Sequence, residues 1–252
     1  MSAGAATVMR PRNDLRPCHD VRPRNDPGQY DDLVAEWWKP RGAFEMLHWI
    51  AAARAALVPT ATRPGAMLLD IGCGGGVLAP HIADKGYRHV GVDVSATAAA
   101  TARGRGIRVV RADAARLPVA DEVADVVVAG ELLEHVTDLD GVLAEAVRVL
   151  RPGGPLVIDT IANTWWGRLS TITVGERIPA GPPPRLHDGR LFVDRDRLVA
   201  VCARHGVRLM LRGLRPSVPD YLRWLAGRQA NARMVPVRST ACLLYTSDAA
   251  DE

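Results

Sequence analysis

The sequence predicts a doubly wound α/β domain: a seven-stranded, mostly parallel sheet with helices on both faces. Three observations carry this. Short, wholly apolar segments alternate with segments of helical period, the pattern of a parallel sheet covered on both sides. The first apolar segment closes on a glycine cluster, Gly72-Cys73-Gly74-Gly75-Gly76. Pro-Gly breaks at 64–65 and 152–154 separate the units. In chain order, helices are expected at 30–38 and 44–58, the second carrying Phe44, Leu47, Ile50, Ala51 and Leu57 at helical spacing. Strands at 66–71, 89–94, 107–111, 123–129 and 156–160 are interleaved with helices at 77–85, 96–103 and 139–150. A helix at 194–205 stops at Gly206, and strands at 207–211 and 234–240 complete the seven.

Composition sets the outer bounds. The chain has 252 residues, 48% hydrophobic and 24% charged, enough to bury a core without staples. No apolar run is long enough to span a bilayer, and the Arg/Pro/Asp-rich start lacks the apolar stretch of a secretory signal. A cytoplasmic protein is expected, with peripheral membrane contact left open. Cys18, Cys73, Cys202 and Cys242 lack the spacing of a zinc module or disulfide framework. Net charge is +4, almost all of the basic side being Arg, and no Arg cluster is interleaved with aromatics, so a nucleic-acid partner is not expected. Nothing in the composition speaks to oligomeric state.

Both ends differ from the middle. A polar pentad, Arg10-Pro-Arg-Asn-Asp14, recurs as Arg22-Pro-Arg-Asn-Asp26. Residues 1–26 have little to bury and are expected to be flexible, with ordered structure starting near Pro27. Residues 242–252, Cys-Leu-Leu-Tyr-Thr-Ser-Asp-Ala-Ala-Asp-Glu, resemble a translated sequencing adapter and are set aside from the fold as a non-native tail. The alternative is a natural final strand at 241–246. Between them, 27–241 forms the domain, with 165–190 as a substrate-covering insertion.

The glycine cluster is the strongest chemical signal. Asp70 and Gly72, Gly74 and Gly76 join a strand to a helix, where glycines let a ligand approach the backbone and its amides. A dinucleotide fingerprint would need Gly where Val77 stands, and a P-loop would need Gly-Lys-Ser/Thr. What remains resembles the first motif of class I S-adenosylmethionine-dependent methyltransferases. That resemblance implies S-adenosylmethionine as cofactor. Asp93, 21 residues after Gly72, is then placed to accept the two ribose hydroxyls. Asp113 resembles the acceptor of the adenine amine, and Gly130 would line the methionine part.

A narrower resemblance spans residues 26–215. Glu36-Trp37-Trp38, Phe44-Glu-Met-Leu47-His48 with Arg54, the glycine loop, Glu131-Leu-Leu-Glu134-His135-Val136 and His187-Asp188 are similar to the ubiquinone-biosynthesis O-methyltransferase family. That family methylates a phenolic hydroxyl of a polyprenylated catechol. The resemblance implies that Arg54 contacts the cofactor carboxylate; a guanidinium beside the glycine loop suits that role physically as well. It also implies a metal-binding role for Glu131, Glu134 and His135, with Mg2+ or another divalent cation.

The residues themselves admit two readings. If 131–135 starts a helix, Glu131, Glu134 and His135 converge on one side and can hold a divalent cation that a catechol would chelate. Alternatively, His135 is a base that removes the phenol proton, with a polar rim around it. His187 approaches the acceptor from the opposite wall as a second catalytic candidate. Residues 165–178 mix Trp165, Trp166, Leu169, Ile172 and Val174 with Arg168 and Arg177, the pattern of a lid, a membrane-resting segment or a core helix. The expected activity is methyl transfer to a phenolic or quinone-precursor hydroxyl. Its rivals are a different nitrogen, carbon or oxygen acceptor, or a cofactor-binding protein without catalysis.

Overall fold

A computed structural model describes residues 24–26, 28–239 and 243–246. Five strands, β1 (Met67–Ile71), β2 (Arg88–Asp93), β3 (Arg108–Arg111), β4 (Val126–Gly130) and β5 (Leu156–Ile161), pair in parallel. Three more, β6 (Arg212–Pro216), β7 (Met234–Val237) and β8 (Leu243–Thr246), are antiparallel, and the sheet runs β3-β2-β1-β4-β5-β8-β6-β7. The doubly wound class is the one observed; the strand count is corrected from seven to five parallel strands plus three antiparallel ones.

Helices α1 (Gly28–Asp32), α2 (Glu45–Ala55), α3 (Ala79–Ile82), α4 (Ala96–Arg103), α5 (Leu139–Val149), α6 (Trp165–Arg168), α7 (Arg195–Arg204) and α8 (Val218–Leu225) complete the described elements, with several single turns. Ser95, Asp138 and Asp194 cap α4, α5 and α7, each accepting from a backbone N–H one turn on. The strands alternate their side chains between two cores. Leu69, Ile71, Val127 and Ile158 pack with Leu143, Ala146, Leu198 and Val201 of α5 and α7. Leu68, Val126, Val128 and Val157 pack with Ala55, Val58, Leu78 and Ile82 on the other face. This is why β1 and β5 are buried along their whole length and read as mostly apolar runs, broken by Asp70 in β1 and by Asp159 and Thr160 in β5.

Four expectations are corrected. Residues 30–38 are not one helix: α1 ends at Asp32 and a 3-10 turn, Val34–Glu36, follows. The break lets Trp37 stack on Phe44 at 4.3 Å and Trp38 Nε1 donate to the Gly75 carbonyl at 2.9 Å. The helix expected at 77–85 is α3 plus a 3-10 turn, Ala83–Lys85, ending on Gly86. Residues 207–211 are irregular, and the strand lies at Arg212–Pro216. Val207 and Leu209 are apolar because they cover the α7 core, which needs no ladder pairing. Finally, Leu243–Thr246 lies inside the sheet between β5 and β6, so those four residues belong with the fold whatever their origin.

At the other end, Arg24–Asp26 are described and packed, so the flexible segment does not extend through 26; residues 1–23 lie outside the described residues. Segment 165–190 leaves from the end of β5 and returns beside it. Its base is closed by Asn163 N–H donating to the Val193 carbonyl at 2.7 Å and Val193 N–H donating to the Ile161 carbonyl at 2.9 Å.

Candidate active site

A cavity of about 920 Å³ opens at the carboxyl ends of the parallel strands, where ligands bind in open α/β sheets. The glycine loop walls one end. Residues from 25–54, 130–142 and 161–187 wall the rest.

At the loop end the backbone does most of the shaping. Gly74 and Gly76 have φ of +51° and +81°, which side-chain-bearing residues rarely adopt. A Cβ on Gly74 would sit 2.6 Å from Trp37, and one on Gly76 would sit 2.6 Å from Ile107 and 3.2 Å from the Ala102 backbone. Asp93 Oδ2 accepts the Gly74 N–H and Oδ1 accepts the Ser95 N–H, both at 2.8 Å. Burial raises the Asp93 pKa, with those N–H donors opposing. Asp113, after β3, accepts the Ala115 N–H at 2.9 Å. Asp70 is buried at the end of β1 with His89 Nε2 at 3.2 Å. Asp70, Gly72, Gly74, Asp93, Asp113 and Gly130 all border the cavity; Gly76 turns away from it into Ile107 and Ala102.

Arg54 also borders the cavity, but its guanidinium is committed. It forms a two-pronged pair with Asp159 of β5, Nη2 to Oδ2 at 2.8 Å and Nε to Oδ1. Burial opposes the Arg54 charge, and the Asp159 carboxylate outweighs it and raises the Arg54 pKa. Asp159 is the functional residue that sequence reasoning missed. It is 1% exposed and also accepts the Glu131 N–H at Oδ2, 3.2 Å away, so one carboxylate ties α2 to the turn after β4. Its signal was a lone charge in an otherwise apolar strand.

The acceptor end departs from the expected helix. Glu131 has φ of +49° and leaves the strand in a left-handed turn; only Leu133–His135 is helical, as a 3-10 turn. Glu131, Glu134 and His135 therefore do not share a helix face. The ligand atoms that lie within 4.8 Å of one another are those of Glu134, His135 and His187, with Glu131 outside the group. The rings of His135 and His187 stack at 5.1 Å.

Several of these groups are buried with an atom left over. Glu134 Oε2 accepts the Thr160 hydroxyl at 2.7 Å, while Glu134 Oε1, Glu131 Oε1 and His187 Nδ1 have no partner. Burial raises Glu134 to about 7 despite the Thr160 bond. Burial, then the charges of Glu134 and Asp159, raises Glu131 well above the carboxylate range. Burial pushes His135 down to about 4 and His187 also well down. The pocket thus holds two neutral imidazoles next to carboxyls that resist ionisation. His135 differs from His187 in being fully partnered: Nδ1 faces Asn25 Oδ1 at 2.5 Å and Nε2 faces the Tyr30 hydroxyl at 3.2 Å. Asp188 turns outward to Arg190 at 2.5 Å.

The comparisons agree with this geometry. A model described as a methyltransferase domain matches residues 69–158. The chain is similar to a ubiquinone biosynthesis O-methyltransferase of Brucella anthropi, 32% identical over 200 residues, covering 72% of this chain and 81% of that protein. A protein of the same name from Hahella chejuensis is 32% identical over 180 residues, covering 68% and 76%. Among solved structures, a methyltransferase from Thermotoga maritima, described as a possible histamine N-methyltransferase, superposes with TM-score 0.59 at 19% identity over 88% of this chain and 96% of that one. Phosphoethanolamine N-methyltransferase 2 of Haemonchus contortus, solved with S-adenosyl-L-methionine, gives 0.58 at 16% identity over 88% and 60%.

A parallel sheet with a glycine loop and an aspartate at the end of its second strand, matched by that domain model, defines a class I S-adenosylmethionine-dependent methyltransferase. The relatives narrow this further. The chain belongs to the ubiquinone biosynthesis O-methyltransferase family.

Proposed function

We propose that this enzyme methylates a hydroxyl of a phenolic or catechol quinone precursor. The observation that carries the reading is the Glu134/His135/His187 cluster, whose two histidines line the cavity and whose Glu134 and His187 are buried. A binder that had lost catalysis has no use for three desolvated titratable groups there.

Bound S-adenosylmethionine supplies an electrophilic methyl on a sulfonium. The loop amides and Asp93 would hold its nucleoside, and Arg54, locked by Asp159, would pair with its amino-acid end. His135, or His187 through its unpartnered Nδ1, receives the acceptor's phenolic proton; both rings are kept neutral by burial and are ready to accept it. Attack of an anionic oxygen on a sulfonium neutralises charge, so aligning the two is the larger task, and the cavity walls perform it.

The donor set also fits a divalent cation. Glu134 Oε1 and His187 Nδ1 are buried without partners, and His135 Nε2 joins them once the Tyr30 hydroxyl yields. Such an ion would favour the phenolate form of the acceptor.

Segment 165–190 acts in this reading as the cover of the acceptor site. Trp166, Val174, Ile178 and Leu186 contribute to the cavity wall, and Trp165 and Trp166 are 74% and 51% exposed outside it. With Arg168 and Arg177 beside them, these indoles suit contact with a membrane that delivers a greasy acceptor. Among the described residues no helix is long and apolar enough to cross a bilayer.

The test is direct. Purified protein is incubated with S-adenosylmethionine and a short-chain prenylated catechol acid, with aromatic amines as competitors. An O-methylated product is expected. Methyl transfer only to nitrogen or carbon would overturn the acceptor assignment, and full activity after exhaustive chelation would remove the cation and leave the histidine base.

A further inference from the structure

We propose that Asn25 is a positioning residue: it fixes His135 as the Nδ1–H tautomer and so turns the Nε2 lone pair toward the acceptor. The inference rests on the reading of His135 as a reactive group of the acceptor site.

The argument begins with the amide. Asn25 Nδ2 donates to the backbone carbonyl of His135 at 3.1 Å, which fixes which end of the amide is nitrogen. Oδ1 then faces the His135 ring, 2.5 Å from Nδ1. A carbonyl oxygen only accepts, so Nδ1 carries the hydrogen. Neutral imidazole has one N–H, and Nε2 is left as the acceptor. The Tyr30 hydroxyl, 3.2 Å from Nε2, can donate or accept and accommodates that assignment. Asn25 therefore sets the tautomer, and Tyr30 on the other side of the ring adapts to it.

Asn25 is itself held in place. Its φ is +60°, a left-handed conformation that Asn tolerates better than most residues, and its N–H donates to the Arg185 carbonyl at 3.3 Å. The preceding Arg24 bonds Glu176 at 2.8 Å and the His187 carbonyl at 3.0 Å. One short strap therefore touches both histidines and the covering segment. Without Asn25 the ring is free to carry its hydrogen on Nε2, which moves the basic lone pair to Nδ1 on the other side of the ring. In serine proteases, loss of the residue that sets the histidine tautomer costs about 10⁴-fold. The Asn25 bond is uncharged, and a loss nearer 100-fold is expected.

The experiment uses the full chain with ¹⁵N-labelled histidine, recording ring-nitrogen resonances together with kcat and cofactor affinity. Wild type and Tyr30→Phe should both show His135 with Nδ1 protonated. Asn25→Ala should lose that signature and about 100-fold in kcat, with cofactor affinity within about twofold. Asn25→Asp, which can still accept from Nδ1–H, should restore the signature and most of the turnover. An unchanged His135 resonance in Asn25→Ala, or an Asn25→Asp protein as inactive as Asn25→Ala though folded, would overturn the inference. His135→Ala separates the two levels. Wild-type turnover in that variant sinks the role of His135 in the reaction, while the resonances decide what Asn25 does to the ring.

Discussion

The two ends of the cavity are built in opposite ways. At the glycine loop the carboxylate is fully engaged: both Asp93 oxygens accept backbone N–H groups, and the loop's shape comes from main-chain conformations that only glycine holds easily. At the acceptor end the shape comes from side chains on irregular backbone, and Glu131, Glu134 and His187 each keep a buried atom without a partner. A finished hydrogen-bond network binds a fixed ligand. An unfinished one is costly in the empty protein and is relieved when a ligand supplies the missing bonds.

The largest effect should come where the two ends are tied together. Arg54→Ala leaves Asp159 as an uncompensated buried charge and should cost about 3–5 kcal/mol of stability. Urea unfolding reads it, and a loss under about 1 kcal/mol would mean that water reaches Asp159 and the tie is loose. Next, Glu134→Gln and His187→Ala should each lower kcat about 100-fold while the cofactor Kd moves less than twofold. Equal losses in kcat and cofactor affinity would erase the distinction between the ends. Gly76→Ala should do the reverse: strained backbone and the close approach to Ile107 should cost about 2 kcal/mol and weaken cofactor binding measured by calorimetry, whatever the acceptor.

The smallest effect is in pH. His135 is lowered to about 4 in the folded protein, so its contribution is present above its unfolded pKa near 6.5 and is lost as pH falls toward 4. Glu134, raised to about 7, acts in the opposite sense: its contribution is present below about 4.5 and lost as pH rises through 7. Compared with wild type, His135→Asn should therefore gain relative stability on acidification from pH 6.5 to 4 in thermal melts. A constant difference across that range would show that the ring is wet.

This contrast also explains what the sequence revealed. The glycine loop, the place of Asp93 at the end of β2 and the five parallel strands were legible because main-chain requirements leave compositional marks: glycines at fixed offsets and short, mostly apolar segments. The acceptor end was legible only as residue types. Helical spacing grouped Glu131 with Glu134 and His135, but the left-handed turn at Glu131 breaks that phase and lets His187, 52 positions beyond His135, join instead. Asn25 fell in a polar repeat that resembles a linker, and its role depends on a fold-back that no local pattern encodes. The strand at 207–211 failed for a simpler reason: apolar residues can seal a core without pairing.

The order of strands carries a consequence for assembly. β8 is the last strand among the described residues, yet within the sheet it alone links β5 to the β6–β7 hairpin. The parallel half pairs within itself, whereas within the sheet the hairpin meets it only through residues 243–246. Whatever the origin of residues 243–246, shortening the chain before Leu243 would leave β5 and β6 as two open sheet edges, each a template for a foreign β-segment.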